Sequence, residues 1–228
     1  MKKAIFLSLS IILLLTSCGE TKNFTRGSNY PKMYEEKPTS ILIMPPINKT
    51  VNVEAKEYFY TSLAVPLCEK GYYVISPFLA METLKGESAY DSEMFLNSKL
   101  NKFHDVFGAD AALFTTINRW EKSTLGNTIT VEIEYLLKST TNDEILFDRK
   151  GTLTVDLSVN SGNGGLLGAL VDMAASAITT AATDKVVAAR SCNIFSLRDL
   201  PDGKYRDTFE KDQATAAGGK EFKATVKK

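Results

Sequence analysis

The sequence predicts an α/β domain built on a mixed β-sheet flanked by helices, and three patterns predict it. A short apolar run, Ile41-Leu42-Ile43-Met44, closes at Pro45-Pro46 and is followed by a helical stripe and then by Tyr72-Tyr73-Val74-Ile75. Strand, helix and strand within about forty residues form a βαβ unit, whose strands run parallel. Further on, Ile129, Val131, Ile133 and Tyr135 alternate with Thr130, Glu132 and Glu134. After the turn residues Thr141-Asn142-Asp143 and the run Ile145-Leu146-Phe147, Leu153, Val155, Leu157 and Val159 alternate with Thr152, Thr154, Asp156 and Ser158. Such period-2 segments joined by a turn are antiparallel strands with one wet face, so the sheet is mixed.

In chain order, Lys2 and Lys3 precede an apolar stretch from Ala4 to Leu15 interrupted only by serines. It is shorter than the roughly 20 residues of a membrane span and suits a cleaved secretory signal. Leu15-Thr16-Ser17-Cys18, with Gly19 behind it, has the residue types of a lipobox. Lipid transfer needs the Cys18 thiol as acceptor, and the lipoprotein signal peptidase needs small side chains before it. Residues 1–17 are therefore expected to be removed and Cys18 to be lipidated. A diacylglyceryl group on sulfur together with an acylated amine exceeds the two-signal threshold for stable anchoring. Glu20, in place of the aspartate that retains lipoproteins in the inner membrane, favours the outer membrane of a diderm host, facing the periplasm.

Cleavage leaves 211 of the 228 residues, with 25 basic against 27 acidic side chains. One domain of this size is expected, with a hydrophobic content of 44% that suffices for a core. The near-neutral balance without a basic cluster argues against nucleic acid as a partner. Residues 18–38, polar and without apolar period, read as a flexible tether, and order is expected to begin near Ser40. Residues 39–205 form the domain. The tail 206–228, rich in Lys, Ala and Gly, is expected to be disordered.

Within the domain, a helix is expected from about Val53 to Lys70, capped by Asn52, with Ala55, Phe59, Leu63 and Leu67 inward, and kinked by Pro66 near its end. A short helix follows over Pro77–Lys85, then a longer one from about Ser92 to Phe107 with Phe95, Leu100, Phe103 and Phe107 inward and Gly108 as its stop. Ala111 to Trp120 makes the third strand. Behind Gly162-Asn163-Gly164-Gly165, a helix rich in small residues is expected from about Leu166 to Ala189. Its larger apolar positions, Leu170, Met173, Ala177 and Ile178, pack either on the chain's own sheet or on a second copy or partner lipoprotein.

Resemblance enters at Ile41-Leu42-Ile43-Met44-Pro45-Pro46-Ile47-Asn48, at Pro66-Leu67 leading to Gly71-Tyr72-Tyr73-Val74, at Phe107-Gly108-Ala109-Asp110-Ala111 and at Ile117-Asn118-Arg119-Trp120. In order and spacing these blocks resemble a family of bacterial lipoproteins, uncharacterised in function, whose best-known member was a meningococcal vaccine candidate. The resemblance implies a three-layer α/β domain like the N-terminal domain of the translocation protein TolB. It also implies kinship with auxiliary lipoproteins of envelope transport. Ser76-Pro77 departs from the family, which carries an aromatic before the proline. The family supplies no catalytic residues.

No chemistry stands out from the residues themselves. His104 is the only histidine and lies on a helix without a nucleophile motif such as G-x-S-x-G. Cys68 and Cys192 lack any zinc spacing. In an oxidising compartment they could pair as a disulfide, or they could be two buried thiols on apolar helices. The glycine cluster lacks the βαβ context of a dinucleotide fingerprint. Glu132 and Glu134 share the wet side of one strand and are expected to be solvated. No cofactor and no metal are expected. The expected role is a non-enzymatic accessory or assembly component of an envelope transport or secretion system. Its partners would be the membrane, other envelope lipoproteins and a second copy of itself. The alternative is a periplasmic binding module for a small molecule or cell-wall fragment.

Overall fold

Strand β1 (Ser40–Ile43) is buried at every position because both of its faces are covered. Ile41 and Ile43 enter the main core, while Leu42, followed by Met44, enters a second, smaller one. This is seen in a computed structural model of the chain, which describes residues 24–124, 128–158 and 181–227. Among them seven strands form one sheet in the order β3 (Tyr73–Val74), β1, β4 (Ala111–Lys122), β5 (Thr128–Ser139), β6 (Ile145–Asp156) and β7 (Glu221–Lys227), with the short β2 (Ile47–Asn48) paired to β4 beyond the end of β1.

The expected βαβ unit is present. β1 and β3 (Tyr73–Val74) pair in parallel, Ser40 against Tyr73. The connecting helical segment divides into α3 (Ala55–Ser62) and α4 (Ala64–Glu69). Pro66 has no N–H to offer the Ser62 carbonyl four residues back, so the break falls at Leu63, ahead of the proline. Ala55, Phe59, Leu63 and Leu67 are all fully buried, as their spacing predicts. Asn52 does not cap with its side chain; its carbonyl accepts from the Ala55 amide at 3.1 Å.

Pro77 opens α5 (Pro77–Gly86), where its fixed φ suits the first helical turn. The single helix expected over Ser92–Phe107 is instead a 3-10 turn (Ser92–Phe95) and a separate α6 (Asn101–Phe107). The Leu100 amide donates to Asp143 Oδ1 at 2.8 Å, so a carboxylate from the distant hairpin sets the start of α6. Gly108 ends it at φ 64°, and Leu100 and Phe103 are buried as expected.

Strands β4 (Ala111–Lys122), β5 (Thr128–Ser139) and β6 (Ile145–Asp156) make an antiparallel meander, with a bulge between Ile117 and Arg119. β1 and β4 are parallel, so the sheet is mixed. Helices α3, α4 and α7 (Ala181–Leu197) cover one face. The turn at Ser92–Phe95, α5 and α6 cover the other face over β1 and β4. This gives three layers. Over β5 and β6 the second face is open, with Glu132, Glu134 and Lys150 exposed on it.

Three boundaries differ from expectation. The helix predicted to stop at Ala189 continues to Leu197, because Cys192, Asn193, Ser196 and Leu197 are buried. The predicted tether contains α1 (Arg26–Asn29) and α2 (Pro31–Glu36), with Tyr30 and Met33 in the main core. Their local determinants are a capping box between Thr25 and Ser28 and a proline at the first position of α2. The predicted disordered tail carries β7 (Glu221–Lys227), parallel to β6, with Phe222, Ala224 and Val226 turned onto the core.

Candidate functional site

Strands β1, β3, β4, β6 and β7 all start at one end of the sheet, here the foot, and run towards the other, the head. The foot gathers the first and last parts of the described chain. Phe24 to Gly27 runs beside residues 213–217: Arg26 N donates to Thr215 O at 3.0 Å, Gly27 N to Gln213 O at 2.9 Å, and Ala217 N to Phe24 O at 2.9 Å.

Side chains lock this seam. The Arg26 guanidinium reaches Asp212 at 2.6 Å, Asp202 at 3.1 Å and the Arg198 carbonyl at 3.1 Å. Lys70 Nζ donates to the same Arg198 carbonyl at 2.7 Å and lies 3.3 Å from Asp202. Burial pushes the Asp202 carboxyl up, but the Thr208 hydroxyl, Lys70 and Arg26 outweigh it and hold the group below its usual value. Burial, reinforced by the Arg26 charge, draws Lys70 below its own usual value. Gly71 and Gly203 pack backbone to backbone here. A Cβ on Gly203 would lie 2.5 Å from the Gly71 carbonyl oxygen, and Gly71 itself holds φ +83°.

Beside the seam Arg149 is 2% exposed. It pairs with Asp199 at 2.9 Å and donates to the Phe195 and Ser196 carbonyls at 3.0 Å each, so a cation closes the C-terminal end of α7. Its guanidinium also lies over the rings of Phe195 and Phe222, at 5.4 and 5.0 Å from their centroids, and the two rings pack on each other at 5.2 Å.

An open cleft of about 760 Å³ lies at the outer side of the foot. Tyr30 and Leu146 contribute buried wall, and Phe24, Pro31 and Ile145 are its exposed apolar members. Its lysines are matched locally: Lys32 by Glu35 and Glu144 at 3.1 and 3.0 Å, and Lys220 by Asp148. At the head, Val51 and Val53 stand exposed beside the starts of α3 and α7. There Lys122 meets Asp184 at 3.5 Å and Lys185 meets Glu54 at 3.0 Å.

The residues singled out by sequence scatter over this frame. Cys18 lies outside the described residues, as do Leu170, Met173, Ala177, Ile178 and the glycine cluster. Residues 159–180 leave and re-enter the described chain at the head, after Ser158 and before α7. His104 is exposed, and its Nδ1 lies 3.1 Å from the Ala109 carbonyl just past the end of its helix. Glu134 accepts from Asn118 Nδ2 at 2.8 Å, and Glu132 lies 3.8 Å from Arg119, both on the open face as their alternation predicts. Among the described residues no group of three His, Cys, Asp or Glu side chains could hold a metal ion.

The disulfide considered for Cys68 and Cys192 is not formed; both are free thiols. Cys68 turns outward from α4, whereas Cys192 faces the main core from α7, where burial pushes its thiol well up. In the native chain an alkylating reagent is expected to modify Cys68 promptly and Cys192 only after unfolding, read peptide by peptide in a mass spectrometer. Equal labelling of both thiols in the folded protein would contradict this placement.

Sequence reasoning missed the foot entirely. Arg149 sits in a strand whose alternation gives an arginine an inward position, at Tyr135↔Arg149 in the register, and that inward charge was the available signal.

Comparison with known proteins adds an identity. The GNA1162-like lipoprotein family matches residues 28–200. A lipoprotein of Neisseria meningitidis serogroup B is 31% identical over 185 residues, which cover 80% of this chain and 84% of the relative. The crystal structure of lipoprotein GNA1162 from Neisseria meningitidis has 30% identity and a TM-score of 0.49, covering 61% of this chain and 96% of that one. The PelC dodecamer from Paraburkholderia phytofirmans has 13% identity and a TM-score of 0.44, covering 74% and 91%. With the family spanning most of the folded domain, the chain belongs to the GNA1162-like lipoproteins.

Proposed function

We propose that this protein is lipidated at Cys18, held in the outer membrane facing the periplasm, and acts as a non-enzymatic accessory or assembly component with other envelope lipoproteins. The observation that carries this reading is the lipobox ending at Cys18, six residues ahead of Phe24 at the edge of the folded domain, in a chain of a lipoprotein family. Glu20 supports the outer-membrane address. The polar residues that a search for chemistry picks out have structural partners: His104 a backbone carbonyl, Glu134 an asparagine, Arg149 a helix end. Leu170, Met173, Ala177 and Ile178 are proposed as a surface for self-association or for a partner lipoprotein, on a segment joined to the domain at the head.

The second reading, a binding module for a small molecule or cell-wall fragment, is favoured by the open cleft at the foot. Metabolic labelling with an alkyne palmitate in a diderm host tests the anchor. The wild-type chain is expected to take up label and sediment with outer membranes, and Cys18→Ala to stay unlabelled, unprocessed and absent from the outer-membrane fraction. Undiminished label on Cys18→Ala would sink it. Co-purification from solubilised membranes tests the role: a chain that carries a defined ligand in the cleft and no protein partner would replace the assembly reading with the binding one.

A further inference from the structure

The anchor and the fold together constrain orientation. Six peptide units separate Cys18 from Phe24, and a chain extends at most about 3.6 Å per residue, so Phe24 lies within roughly 22 Å of the lipidated atom however the link runs. β5 and β6 have twelve residues each. At about 3.4 Å per residue such strands span roughly 37 Å, so the tether is shorter than the domain it holds. Phe24 is fixed at the foot by its hydrogen bond from Ala217 and by the adjoining Thr25–Ala216 bridge.

We propose that the foot of the sheet rests on the bilayer that holds Cys18, with Phe24, Pro31 and Ile145 at the lipid interface and the head pointing away. This rests on the lipidation reading above. The face suits a zwitterionic phospholipid surface. Its apolar members project from the rim of an open cleft, Ile145 at 52% exposure and Phe24 at 39%, and its lysines are already neutralised by Glu35, Glu144 and Asp148. An apolar rim without free positive charge gains by entering the headgroup region and needs no anionic lipid. The same placement lifts Val51, Val53 and both flanks of residues 159–180 to the side away from the membrane.

The test uses the full lipidated chain in phosphatidylcholine vesicles, with Cys68→Ser removing the exposed thiol. An environment-sensitive fluorophore is attached to Ile145→Cys in one protein and to Val51→Cys in another. Both positions are exposed, and an unchanged unfolding midpoint confirms that each variant folds. Doxyl-labelled phosphatidylcholine is expected to quench the Ile145 fluorophore several-fold more than the Val51 fluorophore, equally at low and high salt. Equal quenching, or stronger quenching at Val51, in protein that floats with the vesicles would overturn the orientation and leave the anchor standing. A chain that does not float overturns the anchor and the orientation with it.

Discussion

Arg149→Met is expected to destabilise the fold by about 3–5 kcal/mol, the range for removing one partner of a buried ion pair. The substitution keeps an unbranched apolar side chain beside Phe195 and Phe222 but leaves Asp199 with only the more distant and exposed Arg198, at 3.6 Å, and takes the Arg149 donors from the Phe195 and Ser196 carbonyls. Asp199 still accepts from the Gly218 amide at 2.9 Å, so the cost falls on the charge and not on every contact of the carboxylate. Asp199→Asn in the same chain should therefore recover part of the loss, because it removes a carboxylate that has lost its closer cation while keeping an acceptor for the Gly218 amide. Urea denaturation of the two single variants and the double variant measures both effects. Strictly additive losses would show that the two side chains do not act as a pair.

The second large effect is expected at Gly151. This residue faces the core between Ile133 on β5 and Phe222 on β7, and a Cβ there would lie 2.1 Å from the Phe222 carbonyl oxygen and 2.7 Å from its ring. No rotamer of a neighbouring side chain relieves a clash with backbone, so Gly151→Val must push β7 from the sheet. Overpacking of this kind costs roughly 1–3 kcal/mol. Detachment also uncovers the core side of β6. Hydrogen exchange is expected to show the amides of 221–227 losing protection while β4 and β5 retain theirs. A chain ending at Gly219 provides the comparison. If the displacement account is right, adding Gly151→Val to the shortened chain changes its stability little, and a full-sized loss there would refute it.

The centre of the sheet was legible in the sequence because its signals are local. Period-2 alternation in β5 and, as far as Asp156, in β6, the four-residue stripe from Ala55 to Leu67 and the glycine stop at Gly108 each depend on neighbours a few positions away, and each is found as read; Val159, the last position of the expected alternation, lies outside the described residues. The foot was not legible because its determinants are distant in sequence. Arg26 and Asp212 are 186 positions apart, and Asp143 sets the start of α6 from 43 positions away. The alternation of Phe222, Ala224 and Val226 with Glu221, Lys223, Thr225 and Lys227 was visible in itself, yet the surrounding Lys, Ala and Gly diluted it to a tail. A seven-residue strand of modest hydrophobicity is held by its place beside β6, which composition does not report. For the candidate site, the lipidation proposed at Cys18 rests on a signal that is a linear string and so can be read from sequence. The cleft at the foot is assembled from residues 24–32, 145–148 and 219–221, and no single stretch announces it.

The seam that joins residues 24–27 to residues 213–217 also sets an order of events during biogenesis. The earliest part of the domain to be synthesised has its partners in the last part, so Arg26 and the backbone of residues 24–27 wait for the C-terminal segment to emerge. Contacts of such sequence separation form late, after the meander of β4, β5 and β6 can already have assembled. Until residues 213–227 arrive, the domain lacks its edge strand and the seam at the foot. For the secreted chain proposed above, the same delay would leave the domain unlocked in transit and closed on itself only after release.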